Sequence, residues 1–132
     1  MNADTGAQSL LLEYIAALQA RSVEDIEVLL GDHPLVEIPF LRPRRLVGRT
    51  EARRAHAAMF ATLESLTFEL NAPAGDKNAA IVTGRLHVRR CSGEEQCHEV
   101  GLVAEAQASK LHRLSLYADS RFVRDWSDET IM

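Results

Sequence analysis

The hydrophobic pattern of this chain changes period once, near residue 63, and that change limits the fold more than any other feature. Before it, apolar residues recur at helical spacing. Leu11, Tyr14, Ile15 and Leu18 fall at i, i+3, i+4 and i+7, one stripe of a first helix over Ala7–Ala20. A second helix starts at Ser22, where Ser22-Val23-Glu24-Asp25 resembles a capping box. Ile26, Leu29 and Leu30 form its buried side and Gly31 is its expected stop. Residues 35–40 read as a short strand that Pro39 keeps from a central position, and Pro43 and Gly48 bracket the next turn. Thr50 is the expected N-cap of a third helix, with Ala52, Ala55, His56, Met59, Phe60 and Leu63 as its stripe. Beyond that point Leu66, Phe68 and Leu70 alternate with Thr67, Glu69 and Asn71, the period of a half-buried strand. A turn over 73–77, a long strand over Ala79–Arg90, a hairpin at SGEEQ and strands over 97–109 and 111–118 follow. Helices first and hairpin-linked strands afterwards predict an α+β domain with an antiparallel sheet.

Composition narrows the class. The 132 residues are 46% apolar and 26% charged, enough for one domain with a real core and far from a disordered composition. A single domain over residues 1–132 is expected, with its core at about 8–120 and a polar tail over 121–132 anchored by Phe122, Val123 and Trp126. No apolar run reaches membrane-spanning length. The first residues lack a basic segment and carry Asp4 and Glu13, so a cytoplasmic chain without signal peptide is expected. A net charge of −4 argues against nucleic acid as a partner, and no membrane partner is expected. Cys91 and Cys97 flank the hairpin turn. A cross-strand disulfide is geometrically open to them, but two reduced thiols fit a reducing compartment better. No cysteine or histidine spacing suits zinc, so neither a structural metal nor a cofactor is expected.

The order α-α-β-α-β-β-β-β resembles the nuclear-transport-factor-2-like superfamily, and within it the ketosteroid isomerase and SnoaL-like branch. The resemblance rests on Tyr14-Ile15, Asp25-Ile26-Glu27, Val36-Glu37-Ile38-Pro39-Phe40, Gly48-Arg49, Arg85-Leu86-His87-Val88 and Tyr117, and it spans roughly residues 8 to 120. It implies a cone of curved sheet closed by three helices around an apolar pocket, and a homodimer formed through the sheet. Isomerases of this family use a carboxylate base with a tyrosine and a protonated acid as oxyanion donors. Of these, the resemblance carries over only Tyr14. The base position is Ile38, and the acid falls at Val103 or Leu102. An isoleucine cannot take a proton, so steroid isomerisation by the family's route is closed. Glu37 is adjacent but belongs to the opposite face of its strand.

Other branches of the family place chemistry elsewhere. SnoaL-like cyclases use an aspartate in a Tyr-x-Asp context, which here is Tyr117-Ala118-Asp119. Limonene epoxide hydrolases use an Arg-x-Asp on the long strand, where this chain has Arg85-Leu86-His87. Strand parity speaks against both. Val82, Leu86 and Val88 share one face, Arg85, His87 and Arg89 the other, and Asp119 continues the face of Arg113, Ser115 and Tyr117. They reach an interior pocket only if the strands bulge. The hairpin register has two readings. Joining the apolar faces puts Val100, Leu102 and Ala104 beside Leu86, while the family alignment turns Glu99, Val103 and Glu105 to the pocket, making Glu105 a candidate base. The apolar pairing is favoured.

The expected function is binding of a small hydrophobic molecule, with isomerase, lyase or hydrolase chemistry unassigned. The rival is a non-catalytic dimerisation or protein-interaction module on the same scaffold. The candidate catalytic residues are Tyr14 as hydrogen-bond donor, Asp119 or Glu105 as proton-transfer group, and His87. The candidate pocket lining is Tyr14, Ile38, Phe40, Met59, Phe60, Leu86, Val88 and Leu116. Tyr14 also fits a core tyrosine with a satisfied hydroxyl, and His56 reads as a hydrogen-bonded core histidine. Arg42, Arg44, Arg45, Arg49, Arg53 and Arg54, with Glu51 the nearest acid, read as a solvated rim or subunit contact.

Overall fold

The computed structural model describes residues 6–38 and 45–118. The first helix, α1 (Ala7–Ala20), buries Leu10, Leu11, Tyr14, Ile15 and Leu18 on one side. It ends in a Schellman-type turn in which the Arg21 N–H bonds the Leu18 carbonyl and the Ser22 N–H bonds the Ala17 carbonyl. Arg21 sits there in the left-handed region at φ 53°, where glycine is the usual choice. Its guanidinium donates to the Leu63 carbonyl at 2.8 Å, which helps offset that strain. The second helix, α2 (Val23–Leu29), is capped as its sequence predicts: the Asp25 N–H donates to Ser22 Oγ at 3.1 Å.

Gly31 does not stop α2. The helix gives way at Leu30, which is extended (φ −87°, ψ 142°) and opens strand β1 (Leu30–Glu37). Leu30 is 2% exposed and is paired with Leu111 of the last strand, so its burial there draws the chain straight into the sheet. Strand β2 (Arg45–Val47) pairs antiparallel with β1 through Leu35↔Val47 and Val36↔Leu46, where a turn was expected. The third helix, α3 (Arg49–Ala61), is capped by Gly48 and not by Thr50. Gly48 has φ +95°, which a side chain rarely adopts. Its N–H bonds the Pro34 carbonyl, fixing where the helix starts. Strands β3 (Leu63–Leu70), β4 (Ala74–Gly75), β5 (Ala79–Arg90), β6 (Glu95–Gln107) and β7 (Lys110–Ala118) complete the described chain.

The sheet runs β2-β1-β7-β6-β5-β3, with β4 paired to β5. It is mixed: β1 lies parallel to β7, which corrects the all-antiparallel expectation. The parallel pair arises because β1 is separated from β7 by α3 and the whole meander, so no hairpin fixes its direction. Between β5 and β6 the pairs are Val82↔Leu102, Gly84↔Val100, Leu86↔His98 and Arg85↔Glu99. This is the register that joins the apolar faces. A one-residue slip would turn Val100, Leu102 and Ala104 to solvent and forfeit about 1.5 to 3 kcal/mol for each large side chain exposed. Gly84 lets β3 run close against β5, since a Cβ there would collide with the Glu69 carbonyl oxygen.

The core lies between the helices and one face of this curved sheet. Leu11, Ile15 and Leu18 of α1 belong to it with Val82, Leu86, Val88, Leu102, Ala104 and Leu114 of the sheet and Val36 and Ile38 from the end of β1. The result is the α+β cone that the sequence implied, open at one edge.

Candidate functional site

Two helices bring the interior polar pair together. Tyr14 projects from the buried stripe of α1 and His56 from that of α3, at 3% and 0% exposure. Tyr14 Oη lies 2.7 Å from His56 Nε2, with the two rings edge to face. His56 Nδ1 lies 2.7 Å from the Ala52 carbonyl oxygen of its own helix. A carbonyl only accepts, so Nδ1 carries the imidazole proton and Nε2 presents its lone pair. The Tyr14 hydroxyl therefore donates to His56. This reverses the polarity expected from sequence: the tyrosine proton is committed to the imidazole, and what Tyr14 has left to offer a ligand is its oxygen lone pairs.

Burial keeps both groups neutral. Desolvation pushes the Tyr14 phenol above its ordinary range. Desolvation also lowers the His56 imidazole, and its bond to the Ala52 carbonyl offsets only part of that. The surroundings are apolar. Ile38, Met59, Leu86 and Val88 are buried in the same core, and Phe60 and Leu116 pack against it half-exposed. The Phe60 ring centroid is 6.2 Å from that of His56. Among the described residues the buried polar side chains are His56, Arg90, His98 and Ser115, and no carboxylate is itself buried.

The other candidates lie elsewhere. His87 is on the outer face of β5, with Nε2 2.9 Å from Glu69 Oε1. Glu105 is on the outer face of β6, opposite Ala79, with His112 Nε2 at 3.5 Å. The sheet itself separates both from Tyr14. Asp119 and Phe40 lie outside the described residues, as do Arg42 and Arg44. Of the remaining arginines, Arg45 donates to Glu37 at 3.2 Å and Arg53 to Glu27 at 2.6 Å. Arg45 and Arg53 are thus answered by acids of β1 and α2, which the residue pattern of the cluster does not show. Cys91 and Cys97 are free thiols, Cys97 standing opposite His87 while Cys91 lies in the turn.

Two inward residues escaped the sequence reading. His98 and Arg90 sit on the inner face near the β5–β6 hairpin, at 1% and 4% exposure, and His98 Nε2 donates to Gln96 Oε1 at 3.1 Å. The signal was available: His98 shares parity with Val100, Leu102 and Ala104. Glu37, by contrast, faces outward as parity demands. It accepts from Ser115 Oγ at 2.8 Å and Arg113 Nη2 at 3.0 Å. The Ser115 hydroxyl, then Arg113, hold its carboxyl below the usual range.

A helix-closed cone with a polar pair inside it defines a class, the nuclear-transport-factor-2-like α+β fold. Solved structures of the same shape include an NTF2-like protein from Anabaena variabilis ATCC 29413, at TM-score 0.75 and 11% identity over 84% of each chain. A SnoaL-like polyketide cyclase from Agrobacterium tumefaciens str. C58 matches at TM-score 0.72 and 13% identity, over 92% of this chain and 97% of that one. An LEH-like epoxide hydrolase from M. tuberculosis matches at TM-score 0.72 and 14% identity, over 92% and 88%. At such identities the likeness shows the fold. No curated protein sequence matches this chain significantly. The family profile of the SnoaL-like domain matches residues 11–113, and the chain belongs to that family.

Proposed function

We propose that this SnoaL-like chain binds a small hydrophobic molecule within the cone, oriented by the Tyr14–His56 pair. The observation that carries this reading is the 2.7 Å Tyr14–His56 hydrogen bond set among apolar side chains. Such a pair fixes orientation in a site where burial supplies the affinity. Because Tyr14 already donates to His56, the complementary ligand brings a hydroxyl that donates to Tyr14 Oη. The result is a chain of neutral hydrogen bonds, from the ligand hydroxyl to Tyr14 and from Tyr14 to His56 Nε2, with no carboxylate in it. Isomerase, lyase and hydrolase chemistry on a ligand so held is left unassigned; a polyketide cyclase and an epoxide hydrolase share the fold.

Fluorescence titration with 2-naphthol and 2-methoxynaphthalene tests the reading, since only the naphthol has a proton to donate. The naphthol should bind several-fold more tightly, and Tyr14→Phe should abolish the preference. Equal affinities, or an unaltered preference in Tyr14→Phe, would leave Tyr14 a core residue only. An activity abolished by Asp119→Asn and retained in Tyr14→Phe would move the chemistry to that carboxylate.

A second reading is favoured by the outer face of the sheet. Ile81 and Tyr117 are 44% and 58% exposed there, on rows that also hold Val103, Thr83 and Gly101. The neighbouring row carries the Arg85–Glu99 pair. An apolar centre with a charged rim suits a homodimer joined through the sheet. Tyr117→Glu should then convert a dimer to a monomer in sedimentation analysis, and a wild-type chain that sediments as a monomer overturns the reading. A cytoplasmic setting, supported by two exposed free thiols, completes the proposal. Among the described residues no helix is long and apolar enough to cross a membrane.

A further inference from the structure

A groove of about 580 Å³ opens at the end of the sheet remote from the β5–β6 hairpin. That volume is within the usual range for small-molecule sites. Its walls include Leu30, Asp32 and His33 of β1, Arg49 of α3, and Lys110 and His112 of β7, far apart in sequence. It shares no lining residue with the Tyr14–His56 centre.

The cations of the groove are held without being neutralised. Arg49 Nη2 donates to the Glu27 carbonyl at 3.1 Å, and Lys110 Nζ to the Val28 carbonyl at 2.6 Å. These carbonyls belong to the last turn of α2, where cations are favoured. A carbonyl fixes the direction of a cation but leaves its formal charge in place. Among the described residues neither side chain forms an ion pair, and each keeps further N–H donors. Asp32 is the one carboxylate among the described residues of the lining. His112 has Nε2 3.5 Å from Glu105 Oε1, and its Nδ1 is buried with no hydrogen-bond partner. The exposed lining is nevertheless more apolar than polar, which gives the groove an apolar floor.

We propose that this groove binds a small organic carboxylate with an apolar body. The carboxylate oxygens accept from Arg49 and Lys110, and the body lies along the apolar wall between the β6–β7 turn and β1. Both features are required of the ligand. An inorganic anion leaves the apolar floor uncovered, and a neutral aromatic leaves two aligned cations unanswered. The site stands independently of ligand binding in the cone.

Benzoate and its neutral isostere benzamide separate these requirements, with the His33 and His112 side-chain resonances as reporters in the full chain. Benzoate should shift both saturably at about millimolar concentration, and benzamide at least about tenfold more weakly. Lys110→Gln should weaken benzoate by about tenfold, while Lys110→Arg restores it and Tyr14→Phe leaves it unchanged. Equal affinity for the two probes, absence of a saturable shift at His33 and His112, or wild-type benzoate affinity in Lys110→Gln would each overturn the proposal. Arg49→Gln supplies a second loss variant, with its fold checked by circular dichroism.

Discussion

The interior and the outer face of this sheet handle polar groups in opposite ways. Inside, Tyr14 and His56 share one hydrogen bond at 2.7 Å with almost no exposure. Outside, β3, β5 and β6 carry Arg85–Glu99 at 3.0 Å, His87–Glu69 at 2.9 Å, and Arg89 with both Glu95 and Glu64 at 2.7 and 3.5 Å. The outer face has more contacts and more charge, yet water competes for every one of them. The interior pair has no such competitor, so losing either partner leaves a desolvated polar atom with nothing to bond. The number of contacts is thus a poor guide to their worth, and dielectric surroundings are a better one.

The largest effect comes from placing a charge where the interior has none. Ile38 is 2% exposed, and Ile38→Asp should cost about 3 to 5 kcal/mol in chemical denaturation. Burial raises the folded-state pKa of such an acid, so the loss should be greatest at neutral pH and ease as pH falls. A stability-neutral variant would mean that the position faces a wet pocket.

Breaking the pair itself should cost less. His56→Leu leaves the Tyr14 hydroxyl without an acceptor, for about 2 kcal/mol, and Tyr14→Phe should cost about 1 kcal/mol. The double variant should lose less than the sum of the two, and strict additivity would show that the bond contributes nothing. Linkage gives a second readout. The folded His56 has a lowered pKa, so its stabilising contribution is complete above the unfolded value of about 6.5 and is lost as pH falls towards the folded value. The wild type should lose stability over that window, and His56→Leu should lack that component.

Smaller effects belong to the outer face. Glu37→Gln should cost about 1 kcal/mol, because its partner Ser115 is buried. The folded Glu37 carboxyl is lowered, so wild-type stability from this group is present above the unfolded carboxylate pKa and falls away in acid. The Gln variant should be flatter there. At the bottom of the series, Arg85→Ala should not shift the denaturation midpoint measurably. A shift comparable to that of His56→Leu would erase the contrast between the two faces.

The parity of β5 and β6 was legible because alternation is a local signal, and the pairing Val82↔Leu102 follows from matching apolar faces. The Ser22 cap was legible for the same reason. Long-range events were not. Gly31-Asp32-His33-Pro34 reads as a loop, and only Leu111, from the far end of the chain, makes Leu30 the start of a strand. The parallel β1–β7 pair has no local signature either. Tyr14 and His56 could each be placed on a buried stripe, but their hydrogen bond joins helices 42 positions apart. Its polarity depends on a third atom, the Ala52 carbonyl oxygen.

Glu37 gives the neighbouring Ile38 its meaning. Strand β1 lies beside β7 in parallel with an irregularity after Leu30, so backbone bonding alone tolerates a slide by one residue. Burial of Val36 and Ile38 opposes it, and Glu37 adds to that opposition, because Arg45, Arg113 and Ser115 grip its carboxylate from two flanking strands. The acid acts as a locating pin: it indexes β1 so that an isoleucine, and never a carboxylate, arrives at the inward station. Loosening the pin alone would not free the strand, because a slip would also carry Val36 and Ile38 out to water.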